Sequence, residues 1–180
     1  DLELFPGQLL AITGPSGAGK SSLLKCIWRT YLPTGGQLWL READGTVTDL
    51  ATAGEQHMLA LRRTELGSVT QFLHCLPRKS ALDVVAQPLV DGGVPVSQAR
   101  ERAAELLRRL NVPSHLWAVA PATFSGGEQQ RINLARGLIR PVRLLLLDEP
   151  TASLDPVSRE CAISLLRELK AAGTAMLAIF

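Results

Sequence analysis

The residues Gly14-Pro15-Ser16-Gly17-Ala18-Gly19-Lys20-Ser21 fill every fixed position of G-x-x-x-x-G-K-[ST], a spacing whose chemistry is phosphate binding. Glycines at these positions let successive backbone N–H groups point into one concavity, and a following helix adds partial positive charge at its start. In such a loop Lys20 reaches the β- and γ-phosphates of a nucleoside triphosphate, and the Ser21 hydroxyl ligates Mg²⁺. A Gly-rich turn with an incidental lysine is the competing reading. The flanks argue against it. Leu9-Leu10-Ala11-Ile12-Thr13 is an apolar, partly β-branched stretch that reads as a buried strand, and Ser22–Trp28 has helical spacing. Strand, glycine loop and helix is the order the chemistry requires.

A second group of residues completes the site. Arg143-Leu144-Leu145-Leu146-Leu147-Asp148 is a continuous apolar run ending in acid, as expected of a central parallel strand. Open α/β sheets place ligands at the carboxyl ends of their strands, so Asp148 can hold Mg²⁺ through water. Glu149 follows directly and can orient or deprotonate an attacking water, which favours hydrolysis over transfer to a bound acceptor. Ser125-Gly126-Gly127-Glu128 opens another helix, and its N-terminus can bind an anion. A capping box between Ser125 and Glu128 accounts for the same residues structurally. A complete Mg–triphosphate site beside it tips the reading toward anion binding.

The elements around these residues alternate in type. Leu2 and Leu4 alternate with acids as in a strand, broken at Phe5-Pro6-Gly7; Asp44-Gly45 joins Gln37–Arg41 to Thr46–Leu50 as a hairpin. Glu65–Gln71 reads as a strand with Gly67 as its weak point. From about Ser80 the pattern turns helical. Ser97 reads as an N-cap, with Ala103, Ala104, Leu106, Leu107 and Leu110 on one face and Arg100, Arg102, Arg108 and Arg109 elsewhere, a solvated face rather than a binding patch. Asp155-Pro156 starts a helix that Gly173 stops, and Thr174–Phe180 is a further strand. Strands alternating with helices mean an α/β fold, a parallel sheet covered on both faces.

Composition sets the outer bounds. The 180 residues can form one domain with a sizeable core, or one domain carrying an inserted subdomain, and 46% hydrophobic content with a mean hydropathy of +0.13 suits a well-packed globular chain. A formal charge of +2 offers no argument for nucleic acid as a partner. No apolar run approaches the length of a membrane span. Cys26, Cys75 and Cys161, odd in number and widely spaced, read as reduced thiols of a cytoplasmic protein, and His57, His74 and His115 lack ligand spacing.

Gly14–Ser21, Gln71, Ser125–Gln129, Leu144–Glu149 and Ser153-Leu154-Asp155 together resemble, in order and spacing, the nucleotide-binding domain of the ATP-binding-cassette (ABC) family. The resemblance covers essentially the whole chain. It implies a P-loop NTPase fold with an inserted helical subdomain at about residues 72–140, and Mg-dependent ATP hydrolysis. It implies a head-to-tail dimer, with itself or a paralogous cassette, that closes over two ATPs. Gly14–Ser22 of one subunit would then share an ATP with Ser125, Gly126, Gly127 and Glu128 of the other. Gln71 would contact the γ-phosphate and Mg²⁺, with Ser21 and Asp148 as further metal ligands and Lys20 and Glu149 as catalytic groups. Asp155 would sit at the subunit interface. The family's adenine-stacking aromatic strand and the histidine beyond its last strand fall outside residues 1–180. The resemblance therefore implies a chain cut at both ends that keeps triphosphate affinity but hydrolyses ATP poorly.

Within that family, Gln71-Phe72-Leu73, Pro77–Val85, Leu110-Asn111-Val112-Pro113, Leu116-Trp117 and Ala120–Phe124 resemble one branch, the L subunit of the bacterial carbon–phosphorus lyase system for phosphonate breakdown. That branch implies docking on soluble lyase core subunits. The alternative is the ATPase of a lipoprotein- or macrolide-export transporter, whose membrane permease would dock near residues 72–85.

Overall fold

The computed structural model describes residues 2–73 and 78–180. Four strands, β1 (Leu9–Ile12), β4 (Leu66–Val69), β5 (Leu144–Asp148) and β6 (Ala175–Ile179), form one parallel sheet in the order β1-β6-β5-β4. The hairpin β2 (Trp39–Arg41) and β3 (Val47–Asp49) stands apart as a two-stranded antiparallel sheet. Among the described residues there are six α-helices: α1 (Lys20–Ile27), α2 (Glu55–Thr64), α3 (Ala81–Asp91), α4 (Val96–Arg109), α5 (Gly126–Leu138) and α6 (Pro156–Ala171).

Side chains alternate across a strand, so the four leucines of β5 divide between two cores. Leu145 and Leu147 join Val69, Met176 and Ala178 under α3–α6. Leu146 faces the other way with Leu66, Leu177 and Ile179, against Leu24 and Ile27 of α1 and Met58 and Leu61 of α2. A strand buried on both faces has no polar side to alternate with, which is why the run is unbroken Leu.

Several expected boundaries move. Residues 2–5 form no strand, since no neighbouring chain pairs with them. β1 is an edge strand, half exposed, rather than a buried one. The fourth helix begins at Val96 after Pro95, so Ser97 lies inside it and caps nothing. Gly67 is not a weak point. A Cβ there would come within 3.0 Å of Leu145 and 3.1 Å of Val142, so glycine lets β4 approach its neighbours. Asp155 caps α6 by accepting from the Ser158 N–H at 3.0 Å, and Gly173 takes the left-handed conformation beyond its end. Three of the four arginines of α4 form ion pairs on its exposed side: Arg100 with Asp83, Arg108 with Glu105, and Arg109 with Glu168. Cys26 and Cys161 are half-buried free thiols, whereas His74 and Cys75 lie outside the described residues.

Candidate nucleotide-binding site

Parallel pairing brings the carboxyl ends of all four strands to one edge. Ile12 pairs with Ile179, Ile179 with Asp148, and Leu147 with Val69. The chain therefore leaves β1 into the glycine loop, β5 into Glu149, and β4 into Thr70 and Gln71, all at the same end of the sheet.

At that edge Gly14–Gly19 is exposed, and Gly17 and Gly19 have φ of 81° and 86°. Gly19 is the N-cap of α1 and offers no side chain, so the first N–H groups of that helix are left for a ligand. Lys20 folds back over the loop, its Nζ donating to the carbonyls of Gly14 at 2.6 Å and Pro15 at 3.0 Å. The ammonium is thereby held above the concavity. Ser21 Oγ donates to Asp148 Oδ1 at 3.1 Å across 127 residues of sequence. Two ligands on adjacent positions of an octahedral Mg²⁺, with bonds of about 2.1 Å, lie about 3.0 Å apart. The pair is made of hard oxygen donors at that separation, so Ser21 and Asp148 fit a magnesium ion.

Glu149 has φ of 47°, left-handed for a residue with a Cβ, at a cost of about 1–2 kcal/mol. Its N–H donates to the Ile179 carbonyl at 3.0 Å, which continues the β5–β6 ladder by one rung. The turn that follows is held from α5. Gln130, 5% exposed, donates through Nε2 to the carbonyl of Pro150 at 2.9 Å and to that of Glu149 at 3.4 Å. Asn133, 3% exposed, donates through Nδ2 to the Thr70 carbonyl, next to the exposed Gln71. Sequence reading missed both residues. Their signal is two amides at core-facing positions of α5, one turn apart, among Ile132, Leu134 and Ala135.

Ser125–Glu128 takes the capping-box arrangement considered for it. The capping box forms: Ser125 N–H donates to Glu128 Oε2 at 2.8 Å and Glu128 N–H to Ser125 Oγ at 3.4 Å, while Ser125 Oγ donates to Glu128 Oε2 at 2.7 Å. These bonds, the Ser125 hydroxyl first, hold the Glu128 carboxyl below the usual carboxylate range. The same helix end abuts the Ser153-Leu154-Asp155 turn, where a Cβ on Gly127 would lie 2.9 Å from the Ser153 carbonyl oxygen. Among the described residues, no hydrogen bond joins Ser125–Glu128 to Gly14–Ser22.

A glycine loop on a helix start, a lysine above it and a Ser–Asp pair at the sheet's carboxyl edge define a P-loop domain for a nucleoside triphosphate. The chain belongs to the ABC transporter family, whose family model matches residues 1–152. It is 42% identical over 168 residues to the lipoprotein-releasing system ATP-binding protein LolD of Pseudomonas syringae pv. tomato, spanning 93% of this chain and 71% of that protein. It is 41% identical over 172 residues to the macrolide export ATP-binding/permease protein MacB of Chromobacterium violaceum, spanning 96% of this chain and 26% of that protein. The ATP-binding cassette MJ0796, solved as a dimer in a post-hydrolysis state bound to ADP and Pi, superposes with a TM-score of 0.89 at 29% identity, over 99% of this chain and 76% of that one. No helix among the described residues is long and apolar enough to cross a membrane.

Proposed function

We propose that this chain is the ATP-hydrolysing subunit of an ABC transporter of the lipoprotein-release or macrolide-export type. The observation that carries the reading is the convergence of Lys20, Ser21, Asp148 and Glu149 at one sheet edge, in a chain about 40% identical to proteins so named. The carbon–phosphorus lyase branch rests on local stretches such as Phe124 and Pro77–Val85. The relatives' names favour the transporter alternative over it.

On this reading, Lys20 exchanges the Gly14 and Pro15 carbonyls for the β- and γ-phosphate oxygens, and the N–H groups of Gly17–Ser22 cradle the phosphates. Ser21 and Asp148, with Gln71, would hold Mg²⁺, which would supply charge neutralisation at those phosphates. Glu149 aligns the attacking water and accepts its proton. The second cassette presents its own Ser125–Glu128 to the same ATP. That division suits a helix end that faces the Asp155 turn and makes no bond to its own phosphate loop. Closure of this head-to-tail dimer is the power step, passed through Gln71 to a helical subdomain at about residues 72–140.

A cleft of about 500 Å³ is lined by Trp28, Arg62, Lys79, Val84, Arg136 and Arg140 among others. Lys79 and Val84 fall in the stretch where a permease would dock, and the permease segment docks there. Affinity purification from native cells with mass spectrometry of the partners tests the assignment. Recovery of a polytopic membrane protein is expected. Recovery of soluble carbon–phosphorus lyase subunits instead would overturn the transporter reading and leave the nucleotide chemistry intact.

A further inference from the structure

One helix face touches two of the loops at the catalytic edge, those that follow β5 and β4. Gln130, Asn133 and Gly137 fall at i, i+3 and i+7 of α5, a spacing that puts them on one side. Gln130 grips the carbonyls of Glu149 and Pro150. Asn133 grips the carbonyl of Thr70, one residue before Gln71. At Gly137 the helix lies so close to β4 that an added Cβ would sit 2.5 Å from Val69 and 3.0 Å from the Ser68 carbonyl oxygen. The start of the helix is pressed as closely on Ser153. Both amides are almost fully buried, and each donates to a main-chain carbonyl that no strand ladder satisfies.

We propose that Gln130 and Asn133 are positioning residues for hydrolysis: they tie the Glu149 turn and the Gln71 segment to α5, the helix that begins at Ser125-Gly126-Gly127. Neither side chain touches the phosphates. Gln130 holds the Pro150 carbonyl, and through it the left-handed turn at Glu149 that aims its carboxylate. Asn133 holds the carbonyl from which Gln71 projects. A partner-bound nucleotide that moves the start of α5 therefore moves both groups as one body. A glutamine or asparagine is needed because each site offers only acceptors, and an amide N–H₂ donates without burying a charge.

The inference rests on Glu149 as the group that activates water, so the experiment separates the two claims. ATP turnover and MgATP affinity are measured on the assembled protein for Gln130→Leu, which keeps the volume and loses the donor, and for Glu149→Gln. The expected result is a kcat about ten- to a hundredfold lower for Gln130→Leu with the MgATP dissociation constant within about twofold, as for a misplaced catalytic group. Turnover that survives in Glu149→Gln would refute the catalytic assignment. Turnover abolished there but unchanged in Gln130→Leu would refute the positioning role. Equal losses of affinity and turnover in Gln130→Leu would mark a general packing defect and also refute it. If Gln130→Leu melts below the assay temperature, hydrogen exchange on the unmutated protein decides. Slow exchange of the Ala152 amide, which closes the Glu149 turn, is expected, and exchange at the rate of an open loop would overturn the proposal.

Discussion

Gly137→Ala should destabilise the protein, although alanine is the better helix former. In an exposed helix the substitution would gain about 0.8–1.0 kcal/mol. Here the new methyl would stand 2.5 Å from Val69 Cγ2 and 3.0 Å from the Ser68 carbonyl oxygen. Val69 is 1% exposed and lies on a strand paired with β5, so it cannot swing aside, and Ser68 is backbone. Overpacking of such a site costs about 1–3 kcal/mol. Toward the upper end of that range the helix-propensity gain is outweighed, leaving a net loss of about 1–2 kcal/mol. For a chain of this size that is a fall in melting temperature of about 2–8 °C. Thermal unfolding followed by circular dichroism measures it. Gly126→Ala, on the same helix with nothing within 4 Å of its Cβ, should leave the melting temperature within about 2 °C of the parent. A Gly137→Ala protein as stable as the parent, or more so, would refute the close approach of α5 to β4.

Other consequences follow from the same contacts. Lys20→Ala removes a charged donor held above the loop and should weaken MgATP binding about ten- to a hundredfold by calorimetry; unchanged affinity would remove Lys20 from the phosphate site. Bonding from the Ser158 side chain first, and then from the Ser158 N–H, lowers the Asp155 pKa below the ordinary aspartate value. A lowered folded-state pKa gives stability that is complete above the unfolded value and lost as pH falls through the folded one. Asp155→Asn keeps a capping oxygen and loses the charge, so its melting temperature should fall less steeply than the parent's below about pH 4; identical slopes would contradict the assignment.

The sequence made the phosphate loop and the Leu144–Glu149 strand legible because both depend on local constraints. Glycines must lie where backbone N–H groups converge, and a doubly buried strand must be apolar throughout. The α6 boundaries were legible for a similar reason, since Asp155, Pro156 and Gly173 each act within a turn. Failures came where tertiary partners decide. Leu2–Leu4 alternates as a strand does but finds nothing to pair with, and Gly67 looks weak until Leu145 and Val142 are seen against it. Ser97 gives way as a helix start to Pro95, whose fixed φ sets the entry two residues earlier. Gln130 and Asn133 passed for ordinary helix residues, because the carbonyls they satisfy lie 20 and 63 residues away.

The central claim is that Lys20, Ser21, Asp148 and Glu149 form a site that binds and hydrolyses ATP. Phosphate release from MgATP, measured on the assembled protein and on Glu149→Gln alongside molar mass by light scattering, tests it most directly. The account predicts that the parent turns ATP over, while Glu149→Gln binds ATP with near-parent affinity, releases almost no phosphate and doubles in mass with ATP. Equal phosphate release from the two proteins, or an unchanged mass of Glu149→Gln with ATP, would contradict it.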